Sequence, residues 1–196
     1  MSYLALGDSF TIGTGTTPAQ AFPARWAARW GSRCEPRVEN VAVNGYSTDD
    51  LIRDELPSLT TFRPTWVSLA VGANDIVRGV SLSHYRARLA AIFDAIRDAG
   101  VAADHIVVLP QPDWARSPTA HGFGDVEALG AQIRGFNDAL STEAKLRGAR
   151  FVDLGALMKH QADSAELAPD GLHPSAVAYD AWAAALTEAV PDPCGG

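Results

Sequence analysis

Ser9, Gly45, Asn74 and the nearby pair Asp170 and His173 come from four distant parts of the 196-residue chain, yet their types suit the transfer of an acyl group. Ser9 stands in Gly7-Asp8-Ser9-Phe10, directly after the apolar run Tyr3-Leu4-Ala5-Leu6 and before Thr11-Ile12-Gly13-Thr14-Gly15. A serine hydroxyl that attacks a carbonyl needs three kinds of help. A base must lie within hydrogen-bond reach, a second group must orient that base, and donors must wait where the oxyanion forms. His173, in Asp170-Gly171-Leu172-His173-Pro174, is the candidate base. A carboxylate three residues earlier on one turn can reach the second ring nitrogen and fix its tautomer, which is the role read for Asp170. Asn74 offers a side-chain amide donor, and the backbone N–H groups of Ser9 and Gly45 offer two more. Gly45 also lets the backbone approach a substrate closely.

Each residue has a plainer reading. Ser9 could cap the helix after its turn, Asn74-Asp75 could cap another, and Asn44-Gly45 is ordinary turn chemistry. Asp-x-x-His alone occurs in many surface loops. Of the remaining histidines, His84, His105 and His160 sit in or beside expected elements and read as structural. His121 lies in a long loop and is the reserve base, without a carboxylate at comparable spacing. Ile76, Val77, Trp114 and Leu172 flank the candidate residues and could line an acyl pocket or simply pack.

The elements that must position these groups alternate between strand and helix. The run ending at Leu6 reads as a short buried strand, and glycine permits a sharp turn after it. Further strands are expected at Val38–Val43, Trp66–Val71, His105–Leu109 and Arg150–Leu154. Helices are expected from Ala21 to Trp30, from about Ser83 to Ala99, from about Asp125 to Arg147 and from Ser175 to about Val190. In the second of these, Leu89, Ile92, Phe93 and Ile96 give i, i+3, i+4, i+7 spacing. Ser47 or Thr48 could cap a short helix after the second strand. Residues 110–124, rich in Pro, Gly and aromatics, form a candidate substrate loop or lid. Residues 191–196 form a tail.

Near-continuous apolar strands separated by helices imply a parallel sheet covered on both faces, a three-layer α/β/α sandwich. One of the two common orders for such sheets is the flavodoxin-like 2-1-3-4-5. In that order Ser9, Gly45 and Asn74 leave three adjacent strand ends. With strands about 4.8 Å apart, they would fall within roughly 5–10 Å of one another.

Composition narrows the partners. Hydrophobic residues make up 47% of the chain and charged residues 20%, as expected of one globular domain over residues 1–196. A net charge of −7 argues against nucleic acid, which is bound through clustered Lys and Arg. No apolar run is long enough for membrane insertion, and no leader pattern opens the chain, so a cytoplasmic location is the expectation. No metal-ligand spacing occurs among the histidines and cysteines, and neither metal nor cofactor is expected. There is no G-x-S-x-G elbow, no G-x-x-x-x-G-K-[ST] loop and no G-x-G-x-x-G.

Taken in order, four blocks resemble those of the GDSL or SGNH hydrolase family of esterases and lipases. They are Gly7-Asp8-Ser9-Phe10, with Phe10 where Leu or Ile is usual; the glycine of Asn44-Gly45; Gly72-Ala73-Asn74-Asp75; and Asp170 to Pro174. The resemblance implies Ser9 as nucleophile, His173 as base and Asp170 as its orienter. It implies Ser9, Gly45 and Asn74 as oxyanion donors, the 2-1-3-4-5 sheet, independence from metal, and a small-molecule ester as substrate. Alternative readings are a non-catalytic carbohydrate- or ligand-binding module on the same fold, or an acyltransferase. Neither the acyl chain nor the oligomeric state is legible.

The cysteines, Cys34 and Cys194, leave two readings. Free thiols suit a cytosolic chain. Alternatively, in the 2-1-3-4-5 order the first and last helices run side by side, and both cysteines follow their C-terminal ends, so a disulfide could pin the tail.

Overall fold

A computed structural model describes residues 1–31, 34–190 and 193–194. The chain opens with β1 (Ser2–Gly7) and the single turn α1 (Ser9–Ile12). Next come α2 (Phe22–Ala28), with Pro23 in its first turn, and β2 (Arg37–Asn40). The short α3 (Thr48–Asp50) runs straight into a π-helical turn (Leu51–Glu55) and then α4 (Pro57–Phe62). After β3 (Trp66–Ala70) follow α5 (Ala73–Val77) and α6 (Leu82–Asp98), the latter capped by the Ser81 side chain. Beyond β4 (Ile106–Val108), two 3-10 turns, Trp114–Arg116 and Ala120–Phe123, shape the long loop. The remainder is α7 (Val126–Leu146), β5 (Arg150–Phe151), α8 (Gly155–Asp163) and α9 (Ala176–Ala189).

All strand pairs are parallel, and the sheet order is β2-β1-β3-β4-β5, the expected one. The period-2 alternation of β1 shows why both faces are covered. Leu4 and Leu6 face one cluster, with Leu69, Ile92 and Phe136 from β3, α6 and α7. Tyr3 and Ala5 face the other, with Trp26, Val107 and Trp182 from α2, β4 and α9. Polar residues could not occupy either set without burying unsatisfied groups.

Two strands, β2 and β5, stop three residues short of their expected ends at Val43 and Leu154. β2 stops at Asn40 because the Asn40 side chain takes over the bonding: Nδ2 donates to the Thr11 carbonyl at 2.9 Å, and Oδ1 accepts from Ala42 N–H at 3.2 Å. β5 is an edge of two residues, though Val152 N–H still donates to the Val108 carbonyl at 2.9 Å. Helix α8 was not expected; it buries only Met158 and Gln161, too little for an apolar period to show.

Helices α2 and α9 pack side by side, with the Phe22 and Trp182 rings 5.9 Å apart. Beyond them Cys34 and Cys194 are joined as a disulfide, their Cα atoms 5.7 Å apart, so the free-thiol reading does not hold. Of the tail 191–196 only Pro193 and Cys194 lie within the described residues. Among the described residues no helix is long and apolar enough to cross a membrane.

Candidate active site

At the carboxyl end of β1, Gly7 adopts φ 154°, and a Cβ there would collide with the Ala70 carbonyl of β3. Only glycine lets β1 and β3 pass this closely and still turn. The turn then presents Ser9, whose own helix is started by Asp8: Asp8 Oδ1 accepts the Phe10 N–H at 3.0 Å.

His173 reaches the same place from the far end of the chain. Asp170 Oδ1 accepts the N–H groups of Leu172 and His173 at 2.9 and 3.0 Å, closing a tight turn around Gly171. That turn is stapled by a bridge in which Ala168 N–H donates to the His173 carbonyl at 2.7 Å. The second carboxylate oxygen is left for the ring: His173 Nδ1–H donates to Asp170 Oδ2 at 2.7 Å. The carboxylate can only accept, so the bond selects the tautomer with the proton on Nδ1 and leaves Nε2 as the basic nitrogen. Burial pushes the Asp170 carboxyl up, but the two N–H groups and the ring outweigh it and hold it below the usual carboxylate range. His173 is buried and its ring lies 5.3 Å from that of Phe10, which fixes its plane.

The third contribution comes from α5. Asn74 Nδ2 donates to the Tyr46 carbonyl at 3.0 Å, which uses one of its two hydrogens. Its neighbour Asp75 is fully buried and accepts from Thr48 N–H and Oγ1 at 2.9 and 2.5 Å. From the end of the same helix, Arg78 Nη2 donates to the Gly45 carbonyl at 2.7 Å, and Nη1 donates to Asp50 at 2.6 Å. Asn74, Asp75 and Arg78 thereby lock the loop carrying Gly45, which adopts φ 86°, onto α5.

These elements enclose a cavity of about 190 Å³. Ser9, Asn74 and His173 give its polar end; Phe10, Val77, Trp114, Phe123 and Leu172 give apolar walls. Across Val77, Trp114 and Phe123 lies a second space of about 230 Å³ that includes Ile76 and Leu129. The larger cavity of about 590 Å³ is elsewhere, behind the 110–124 loop, and holds His121 with Arg116 and Asp163.

The structure therefore brings together Ser9, Asn74, His173, Val77, Trp114 and Leu172, with Asp170 behind the imidazole. Gly45 is one residue off the wall, where Asn44 stands, and Ile76 belongs to the neighbouring space. His121, the reserve base, is not at this site. Sequence reasoning passed over Phe123, which the flanking Gly122 and Gly124 mark as an aromatic on a pliable stretch. His84 pairs with Asp49 and His105 stacks on Trp66, both away from the cavity. Among the described residues no three His, Cys, Asp or Glu side chains are grouped as metal ligands would be.

A family model described as GDSL-like lipase/acylhydrolase matches residues 5–181. Among curated proteins none matches the chain in sequence. Several solved structures share the fold. A putative lipolytic protein of the G-D-S-L family from Desulfitobacterium hafniense is 18% identical with a TM-score of 0.78, covering 96% of this chain and 99% of that one. The acetylxylan esterase Axe2 from Geobacillus stearothermophilus is 20% identical with a TM-score of 0.77, covering 97% and 94%. A lipase/acylhydrolase from Enterococcus faecalis is 20% identical with a TM-score of 0.75, covering 96% and 94%.

Proposed function

This chain belongs to the GDSL-like lipase/acylhydrolase family, and on that premise we propose that it is a serine esterase cleaving small acyl esters through an acyl-enzyme. The observation that carries the reading is the 2.7 Å bond from His173 Nδ1 to Asp170, in a cavity wall shared with Ser9 and Asn74. A module that only binds ligand has no need of an imidazole held in one tautomer.

In the proposed cycle Ser9 Oγ attacks the ester carbonyl while His173 Nε2 takes its proton. The carbonyl oxygen becomes an oxyanion, met by the Ser9 and Gly45 N–H groups and by the second hydrogen of Asn74 Nδ2. The intermediate collapses, the C–O bond to the alcohol breaks, and the His173 proton goes to the departing oxygen. Water then attacks the acyl-enzyme, giving its proton to His173. Collapse of the second intermediate returns that proton to Ser9 Oγ and releases the acid.

Size supports a short acyl group. The space of about 190 Å³ beside Ser9 is small against the roughly 300–1,000 Å³ of ordinary ligand pockets. Acyl groups of about two to four carbons fit, with the alcohol in the open mouth. The acetylxylan esterase among the structural relatives accords with this, although its identity to this chain is only 20%. The Cys34–Cys194 bond favours an oxidising compartment over the cytoplasm for this activity, because cytosolic thiols are kept reduced.

The test is Ser9→Ala. The variant is expected to fold as the parent does, to lose turnover of short p-nitrophenyl esters, and to escape labelling by a fluorophosphonate. Hydrolysis retained in that variant would sink the assignment.

A further inference from the structure

The cycle above uses neither of the two carboxyl groups buried behind Ser9. Asp8 and Glu55 are each only 1% exposed. They meet one corner of the backbone from two sides: Asp8 follows Gly7 in the chain, and Glu55 Oε2 accepts the Gly7 N–H at 2.9 Å. Glu55 gets there because the helix widens. Between α3 and α4, Leu56 N–H bonds back five residues to the Leu51 carbonyl at 3.1 Å, the signature of a π-helical turn. Such turns insert one residue, re-aim the side chains after it, and recur at functional sites. Here the preceding Arg53 and Asp54 pair with each other outside, at 2.9 Å, while Glu55 points inward to β1.

One oxygen of each carboxyl lacks a partner: Asp8 Oδ2 and Glu55 Oε1 are buried and unbonded. Asp8 Oδ1, by contrast, is committed to the Phe10 N–H, and the Gly72 and Ala73 N–H groups at the start of α5 also bear on this carboxyl. The backbone carrying Ser9 and the helix carrying Asn74 thus converge on Asp8. The other titratable groups bearing on the pair are Asp75 from α5, Tyr85 from α6, Tyr179 from α9 and Asp54 from the π turn; none supplies a positive charge. Burial, opposed by the N–H groups named, pushes Asp8 up to about 7 and Glu55 up to about 9. Asp8 bears electrostatically on Glu55, and two carboxylates buried in one apolar region without a cation are too costly to persist, so one proton is kept.

We propose that Glu55 is a positioning residue for Ser9, acting through a carboxyl pair with Asp8 that must retain one proton for the Gly7–Asp8 corner to stay in place. In the one-proton state Glu55 holds the Gly7 N–H and Asp8 holds the turn and the start of α5. Loss of the last proton sets two like charges against each other, and the corner, with its oxyanion donor and hydroxyl, shifts. The consequence is an alkaline fall in kcat that belongs to neither His173 nor Asp170. Titration of such a pair belongs to both groups together, so the fall is a property of the pair.

The kinetic arm of the test rests on Ser9 being the nucleophile; the spectroscopic arm does not. Infrared difference spectra of the wild type are expected to show, at about pH 8, between the ranges of Asp8 and Glu55, a protonated carboxylic acid C=O band that Glu55→Gln removes. In pH profiles of kcat for p-nitrophenyl acetate, Glu55→Gln is expected to abolish the alkaline fall, because an amide keeps both hydrogen-bonding functions and cannot ionise. Glu55→Leu, which strips the Gly7 N–H of its acceptor, is expected to lower kcat about tenfold with KM little changed, the loss of one buried hydrogen bond. If that variant does not fold, the Gln profile still decides. Absence of the infrared band, or a Gln variant with the wild-type alkaline fall, overturns the proposal. A wild type that hydrolyses no ester and escapes fluorophosphonate labelling would overturn the esterase reading instead, leaving the band to decide the proton.

Discussion

At the residue scale, the division of labour inside Asp170 and Asn74 decides what the site can do. Asp170 spends one oxygen on two backbone N–H groups and the other on His173, so the imidazole cannot flip without breaking a charge-assisted bond. Asn74 spends one hydrogen on Tyr46, which aims the other at the cavity. Asn74→Ala is therefore expected to lower kcat for a short ester by roughly 10²–10³-fold with little change in KM, as for one oxyanion donor. Steady-state kinetics check it, and an unchanged kcat would take Asn74 out of the oxyanion site. These residues were legible because each sits at a strand end or one turn from its partner, where local spacing controls reach. Asp8 and Glu55 were not. A buried carboxyl looks like a capping or surface residue until the tertiary contact that buries it is known.

At the element scale, a parallel sheet was legible from five apolar runs separated by helices, while its order was one of two common choices until the family resemblance pointed to 2-1-3-4-5. The boundaries that failed were those where a side chain replaced the ladder, as Asn40 does for β2, or where apolar period was weak, as in α8. The π-helical turn shows the same limit: Ile52, Leu56 and Leu59 keep i, i+4, i+7 spacing, so the inserted residue leaves the apolar pattern readable as ordinary helix. The 110–124 loop matters most for selectivity. Trp114 and Phe123 meet edge to face, 5.3 Å between ring centres, and with Val77 they separate the space beside Ser9 from the one beyond. Phe123→Ala is expected to join the two spaces. Each methylene newly buried contributes about 0.8 kcal/mol, so kcat/KM for hexanoyl or octanoyl relative to acetyl esters should rise at least tenfold. A chain-length profile identical to that of the parent would mean that Phe123 does not divide the spaces.

At the scale of the whole molecule, one covalent link spans almost the full chain. The helices run antiparallel to the strands they follow, so the C-terminal ends of α2 and α9 lie at the amino end of the sheet, opposite the catalytic rim. The Cys34–Cys194 bond closes a separation of 160 residues there, next to the Trp30 carbonyl and the aromatic cluster of Tyr3, Trp26 and Trp66. A cross-link of this span acts mainly on the unfolded chain, whose freedom it restricts, and leaves the native rim unaltered. Replacing both cysteines by serine is therefore expected to lower the unfolding free energy by about 2–4 kcal/mol in urea titrations, while kcat on a short ester holds. Reductant should reproduce the shift in the parent and have no effect on the variant. Two titratable thiols in the denatured, unreduced parent would remove the cross-link from this account, and a fall in kcat would show that the two ends of the sheet are coupled.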